Sequence, residues 1–403
     1  MIVAAKIGGE LVARAGQPPV LGELLMGIVL GNLGLFGFTA LEPLRSNEFL
    51  NVAAEIGAVL LLFETGIESE LAELLSVGWS ALLAAILGSV TPLVMGYYVS
   101  ELLIPDAGWI RRLVVGGTLT ATSVGITARV LKDLHKTDTK EARIIFGAAV
   151  ADDVIGLVVL GVITGIITAG GGQSGITWTR TLWIIAKAVL FLAGAIAVAR
   201  AGVPRVLRYA SRLRVPGVLV GLCIAFCFVL SALADGAGLA PILGAFAAGV
   251  VLEEAHYQPF LERGERTIRE QLFPINTLLV PVFFVVMGMR MDLTAFASWS
   301  VAAFAALITV TAILGKAVCG LGALERGVDR LVIGLGMIPR GEVGLIFAGL
   351  GATLLFDGQP VLDRSTYSAM VLMVLLTTVL TPPLLKAAFA RNRKPGLRKE
   401  PAR

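Results

Sequence analysis

Pro19-Val-Leu-Gly-Glu-Leu-Leu-Met-Gly-Ile-Val-Leu30 returns 222 residues later as Pro241-Ile-Leu-Gly-Ala-Phe-Ala-Ala-Gly-Val-Val-Leu252, identical at six of twelve positions. The same displacement carries Gly66-Ile-Glu-Ser-Glu-Leu71 onto Gly288-Met-Arg-Met-Asp-Leu293. A displacement of 218 carries Arg112-Leu-Val-Val-Gly116 onto Arg330-Leu-Val-Ile-Gly334, and Ala85-Ile-Leu-Gly88 recurs as Ala312-Ile-Leu-Gly315. Chance similarity among Leu-, Gly-, Ala- and Val-rich runs explains one such match but not four in chain order. The two halves therefore read as copies of one unit.

The unit belongs in a membrane. Of 403 residues, 56% are hydrophobic and 15% charged, with a mean hydropathy of +0.86. The apolar runs are continuous rather than alternating, which excludes a porin, a soluble enzyme and a nucleic-acid binder and points to a bundle of helices. Thirteen runs begin near residues 2, 19, 49, 77, 112, 142, 181, 216, 236, 271, 293, 330 and 366. The first has about 14 residues before Pro18, too few to cross about 30 Å of hydrocarbon, which points to a start upstream of residue 1. Lys6, Glu10 and Arg14 interrupt it, so it does not read as a signal peptide. Runs 2 to 6 correspond to runs 9 to 13, and an offset of seven helices reverses direction across the membrane. The expected fold is an all-α polytopic protein of about 13 transmembrane helices with two inverted-topology repeats, helices 1–6 and 8–13. The boundaries are 1–175 for the first repeat, 176–214 for a linker helix 7, 215–390 for the second repeat and 391–403 for a basic tail. Inverted repeats are the architecture of secondary transporters, with a site near the midplane.

The net charge of +4 is topological in origin. The loops on the side of the tail, Arg391 to Arg403, hold 22 Lys and Arg residues against 6 opposite, which places the C-terminus in the cytoplasm and the N-terminus outside. Cys223, Cys227 and Cys319 lie inside apolar runs without metal-site spacing and read as packing residues. Gly170-Gly-Gly-Gln-Ser-Gly175 precedes no phosphate-binding element, and no nucleotide-binding motif is present; the reading assigns no cofactor, nucleotide or nucleic acid.

A charge at bilayer depth costs about 2.5–3.5 kcal/mol on insertion scales, so each needs a reason. Asp152 and Asp153, in Gly147-Ala-Ala-Val-Ala-Asp-Asp-Val-Ile-Gly156, point about 100° apart on a helix, so one can face a basic partner and the other a cavity. Lys316 lies at the same depth in helix 11, about 12 Å from the cytoplasmic end, and is the natural counter-ion. In the repeat it aligns with Ser89 and so departs from internal symmetry. Helix 5 carries Gly116-Gly-Thr-Leu-Thr-Ala-Thr-Ser-Val-Gly125, and helix 12 carries Gly336-Met-Ile-Pro-Arg-Gly-Glu-Val-Gly344. Both gather residues that break helical hydrogen bonding at matched positions, predicting two crossing discontinuous helices. Arg340 and Glu342 are placed to neutralise their dipole ends. Glu55 and Glu64 are further acids in helix 3; Glu64, close to Glu68, Glu70 and Glu73, reads as an accessory acid at an interface or entrance. His135 and His256 read as solvated.

These residues resemble the bacterial monovalent cation:proton antiporters, particularly sodium/proton antiporters of the NapA type. The likeness spans essentially the whole chain and rests on Gly16-Gln-Pro-Pro-Val-Leu-Gly-Glu23, Leu61-Leu-Phe-Glu-Thr-Gly-Ile-Glu68, Thr120-Ala-Thr-Ser-Val-Gly-Ile-Thr-Ala128, Ala151-Asp-Asp-Val-Ile-Gly156, Leu314-Gly-Lys316 and Pro339-Arg-Gly-Glu-Val-Gly344. The resemblance implies a homodimer in the bacterial cytoplasmic membrane. A core of helices 4–6 and 11–13 moves against a dimerisation domain mainly of helices 1–3 and 8–10. It implies Na⁺ at Asp153 with Asp152, Asp152 paired with Lys316, Lys316 as candidate proton carrier, and electrogenic exchange of two protons for one Na⁺ or Li⁺. Thr120, Thr122 and Ser123 are then candidate ligands from the broken helix. The short helix 1 and Glu64, where many relatives carry an apolar residue, depart from the pattern. The alternatives are a K⁺/H⁺ antiporter, a sodium/solute symporter of the same fold, and a membrane sensor or scaffold that transports nothing.

Overall fold

Proline opens two of the helices. Pro19 and Pro241 stand at the first helical position of α2 (Pro19–Gly31) and α9 (Pro241–Val250), where a fixed φ suits the helix and the missing N–H has no partner to lose. The computed structural model describes all residues except 69–77, 169–177, 214, 216, 253–256, 357 and 392–403. The Gly170–Gly175 loop, Glu70, Glu73, His256 and the tail after Arg391 lie outside the described residues. The remaining helices are α1 (Ile2–Arg14), α3 (Glu48–Glu68), α4 (Trp79–Leu103), α5a (Trp109–Thr118), α5b (Val124–Asp133), α6 (Lys140–Thr168), α7 (Trp178–Ala210) and α8 (Val218–Gly236). They continue with α10 (Ile268–Met289), α11 (Trp299–Ala317), α12a (Arg330–Gly336), α12b (Glu342–Thr353) and α13 (Arg364–Arg391), with single short turns at Leu33–Phe36, Glu42–Ser46, Gln258–Leu261 and Val318–Gly322 between them. Strand structure among the described residues is one two-residue hairpin, Leu355–Phe356 against Gln359–Pro360.

Each of the thirteen apolar runs contains helix, but several boundaries differ from expectation. α9 begins at Pro241 rather than near 236, because Gly238 in the left-handed region (φ 70°) turns the chain first. The run expected near 293 opens with a 3₁₀ turn, Leu293–Ala297, started by the Asp292 side chain accepting from Thr294 N at 2.9 Å; α11 follows. α7 continues to Ala210 through a stretch rich in arginine, Arg200, Arg205 and Arg208. Its last turns are amphipathic: Val203, Leu207 and Ala210 are buried while Arg205 and Arg208 face out. α10 starts on a capping box in which Thr267 Oγ1 accepts from Glu270 N and Glu270 Oε2 accepts from Thr267 N.

Among the described residues, seven helical stretches are long and apolar enough to cross a membrane, namely those of α3, α4, α6, α8, α10, α11 and α13. Val3, Phe49, Trp79, Leu102 and Val198 are each more than 70% exposed, a surface that suits lipid rather than water. The three cysteines are free and buried, as packing residues are.

Two groups of helices pack by different means. In the first, α2 lies on α10 and α3 on α9 with backbones in direct contact at glycine. A Cβ at Gly27 would lie 2.3 Å from the Val285 carbonyl oxygen, and one at Gly249 would lie 2.2 Å from that of Phe63. Both partners of the first contact map onto both partners of the second by 222 residues. The same displacement relates Gly288 against Leu24 O to Gly66 against Phe246 O, and Gly22 against Gly8 O to Gly244 against Leu230 O. In the second group, α4 packs against α5a, α6 and α11, and α13 packs against α11, α12a, α12b and α5b. Here Gly88 faces Cys319 Sγ and Gly315 faces Pro92, again one contact repeated by a single displacement.

Candidate functional site

The middle of the second group holds charge where packing alone would have none. Lys316 is fully buried, and its ammonium donates to Asp152 Oδ1 and Oδ2, both at 2.8 Å. Ser89 Oγ, also buried, donates to the same Oδ1 at 2.7 Å. α6, α11 and α4 thus meet on one carboxylate. Taking two charges out of water is costly, and three charge-assisted hydrogen bonds are what such a pair needs to persist. Asp153, the next residue of α6, is half-buried and stands on a different side of the helix.

The two interrupted helices cross beside this pair. The helical hydrogen bonding of α5 lapses over residues 119–123 and that of α12 over 337–341. The loose ends are satisfied mutually: Ser123 N donates to the Pro339 carbonyl at 2.8 Å, Thr127 Oγ1 to that of Gly336 at 2.6 Å and Thr122 Oγ1 to that of Met337 at 3.4 Å. Pro339 supplies no N–H and Gly341 no side chain; a Cβ there would lie 2.6 Å from Ser123 Oγ. Arg340 is fully buried. Its Nη1 donates to the Ala121 carbonyl in the other break at 3.0 Å, and its Nη2 to that of Ala312, one turn before Lys316, at 3.1 Å. Thr378 of α13 donates to the Arg340 carbonyl at 2.6 Å. Thr120, Thr122 and Ser123 are buried, with Thr120 Oγ1 turned back onto Gly117 O at 2.7 Å. The side chain of Glu342 lies outside the described ones.

A largely apolar cavity of about 420 Å³ separates the two groups. Glu64 and Glu68 stand at its wall on α3, and Ser123, Arg340 and Gly341 on the opposite one. Glu64 accepts from Asn276 Nδ2 at 2.5 Å and faces Arg269 at 3.9 Å, while Arg269 makes its closer ion pair with Glu68. Asp152 and Asp153 do not line it; the cavity stops at the crossing of the breaks. At the other end of the same helices the groups are joined: Tyr367 OH donates to the Met287 carbonyl at 2.7 Å and Asp292 N to Ser368 Oγ at 2.8 Å. His135 is exposed, in a left-handed turn with φ 52°.

Depth counting on the sequence brings Asp152 and Lys316 together, and so does the structure. Ser89, Thr127 and Thr378 escape that reading. Only Ser89 has a signal, its alignment with Lys316 in the repeat.

The family model for the transmembrane sodium/hydrogen exchanger matches residues 2–390. The chain belongs to the sodium/hydrogen exchanger family. It is therefore a transporter rather than an enzyme. This family member is 36% identical to the high-affinity Na⁺/H⁺ antiporter NhaS3 of Synechocystis, over 97% of this chain and 88% of that one. It is 33% identical to the Na⁺/H⁺-K⁺ antiporter GerN of Bacillus cereus, over 98% and 96%. It is 30% identical to a Na⁺/H⁺ antiporter of Enterococcus hirae, over 96% and 95%. Among solved structures it shares its fold with the sodium proton antiporter MjNhaP1 of Methanocaldococcus jannaschii, with a TM-score of 0.69, 17% identity and coverage of 96% and 94%.

Proposed function

We propose that this exchanger trades Na⁺, or Li⁺, for protons across the bacterial cytoplasmic membrane, by alternating access and with net charge movement. The observation that carries the reading is the buried Asp152–Lys316 pair beside Asp153 at the crossing of two broken helices. Ionised Asp153 would hold a dehydrated Na⁺ with hydroxyl or carbonyl oxygens of residues 120–123, the oxygen ligands a hard cation prefers. Na⁺ draws Asp152 away from Lys316. The buried ammonium is then left without its counter-ion and releases its proton. On the far side, protonation of Asp153 and Lys316 expels Na⁺ and restores the ion pair. Two protons against one cation move one charge per cycle, which couples exchange to the membrane potential at about 2.3 kcal/mol per 100 mV.

Several observations support the architecture this needs. Thirteen helical runs, with glycine contacts repeated at displacements of 222 and 227 residues, support thirteen crossings in two inverted repeats. The cavity between the helix groups at the Glu64 end, and the Tyr367 and Ser368 contacts at the other, support a core (helices 4–6 and 11–13) that moves against a scaffold (helices 1–3 and 8–10), held here in its inward-open state. The surplus of Lys and Arg on one side supports an outside N-terminus and a cytoplasmic C-terminus. Glu55 is exposed about 10 Å along α3, beside exposed Phe49 and Val52, and a second copy covering that face would form the homodimer. The K⁺ exchange named for GerN favours a second reading, in which K⁺ also serves as substrate.

The test is reconstitution in vesicles with a trapped pH dye, a proton gradient and a clamped potential. Na⁺ or Li⁺ should dissipate the gradient in wild type but not in Asp153→Asn, at a rate that follows the potential. Equal rates in the two proteins would remove Asp153 from the mechanism. A response confined to K⁺ would shift the substrate.

A further inference from the structure

The first three turns of α6 border a second cavity, of about 630 Å³, whose lining includes none of the candidate ion-site residues. Its walls are the start of α4, α6 from Lys140 to Val150, and Glu325 in the turn after α11. Along α6 it extends about 15 Å. Its chemistry changes along that length: Lys140 and Arg143 stand at the helix end, and Phe146, Gly147 and Val150 lie deeper in the apolar span. Both cations are exposed, and among the described residues neither has an ion-pair partner, whereas Glu141 between them is engaged by Asp329 N at 2.9 Å. Glu325 is the one acid facing the cavity among its described lining residues, so the balance there is positive. Gly78, at the same end, is the N-cap of α4 and makes no side-chain cap hydrogen bond, so the positive end of that helix lies at the cavity.

An inorganic anion would use the cationic end and leave the apolar length empty; a neutral lipid would do the reverse. A ligand that uses both has an anionic phosphate head and an acyl chain, at the depth where a bilayer presents them. We propose that this groove binds an anionic phospholipid, with its phosphate against Lys140 and Arg143 and a chain along Phe146, Gly147 and Val150. The bound lipid ties the cytoplasmic end of α6 to its leaflet, two residues short of Asp152.

Binding is read on the purified full-length protein in uncharged detergent, so its outcome does not depend on transport. The unfolding midpoint is measured with phosphatidylglycerol, with phosphatidylcholine of the same chains, and with inorganic phosphate. Phosphatidylglycerol should raise the midpoint by several degrees and the other two should leave it in place. The Lys140→Ala/Arg143→Ala variant, altered only at exposed positions, should keep the basal midpoint and lose the rise. Val150→Trp, which fills the apolar length and leaves the cations intact, should also lose it. An equal rise in both variants, or with phosphatidylcholine, would overturn the assignment. A rise of the same size with inorganic phosphate would make the ligand a free anion and overturn the lipid.

Discussion

The α2–α3–α9–α10 group and the α4–α6, α11–α13 group are made from the same duplicated stretches, yet they treat the duplication differently. In the first, glycine meets a backbone carbonyl at Gly27–Val285 and again at Gly249–Phe63, two contacts related residue for residue. In the second, the close approach survives at Gly88 against Cys319 Sγ and at Gly315 against Pro92, but the next position along is Ser89 in one copy and Lys316 in the other. Both side chains converge on Asp152. Packing holds the repeat to its symmetry, and the site departs from it at one side chain. A carboxylate buried between two equivalent lysines would be over-neutralised; between two serines it would lack a counter-charge.

The strongest test removes the departure. Lys316→Ser should destabilise the protein by about 3–5 kcal/mol, the cost of an unpaired buried carboxylate, seen as a lower unfolding midpoint in detergent. The swap Ser89→Lys/Lys316→Ser should recover part of that loss, since position 89 already reaches Oδ1; no recovery would mean that the two positions are equivalent in sequence alone. Next come the glycines of the α2–α3–α9–α10 group. Gly27→Ala and Gly249→Ala should each cost about 1–3 kcal/mol by overpacking, and by similar amounts. Unequal losses would break the symmetry argument where it is strongest. Smallest is Thr267→Ala, which removes the cap of α10 and should cost about 1 kcal/mol without altering the cation dependence of exchange. A change in ion preference would show that α10 bears on cation choice as well as on packing.

Much of this was legible in the sequence because membrane burial makes polar residues conspicuous. Asp152 and Lys316 stand out in apolar runs, and their equal depth follows from counting residues. The breaks in α5 and α12 announce themselves through Thr, Gly and Pro. What was not legible needed three dimensions. Ser89 aligns with Lys316 in the repeat, but its bond to Asp152 is visible only once α6 is set beside α4. Asn276 as the partner of Glu64 is separated from it by 212 residues and lies outside any repeated motif. α7 runs past its last apolar residues because Arg205 and Arg208 lie on the face its buried side chains leave free. Hydropathy breaks at such a place and the helix does not.

Cys319, seated in the face of Gly88 and one turn from Lys316, makes the chain its own instrument. Cys223 and Cys227 are buried in α8, among the helices that would stand still, and Cys319 in those that would move. With no engineered probe, the rate at which a small thiol reagent reaches each of the three divides motion of the core from loosening of the whole. A reagent that finds Cys319 faster when Na⁺ is added, while the other two keep their rates, would time a loosening confined to the α4–α6, α11–α13 group.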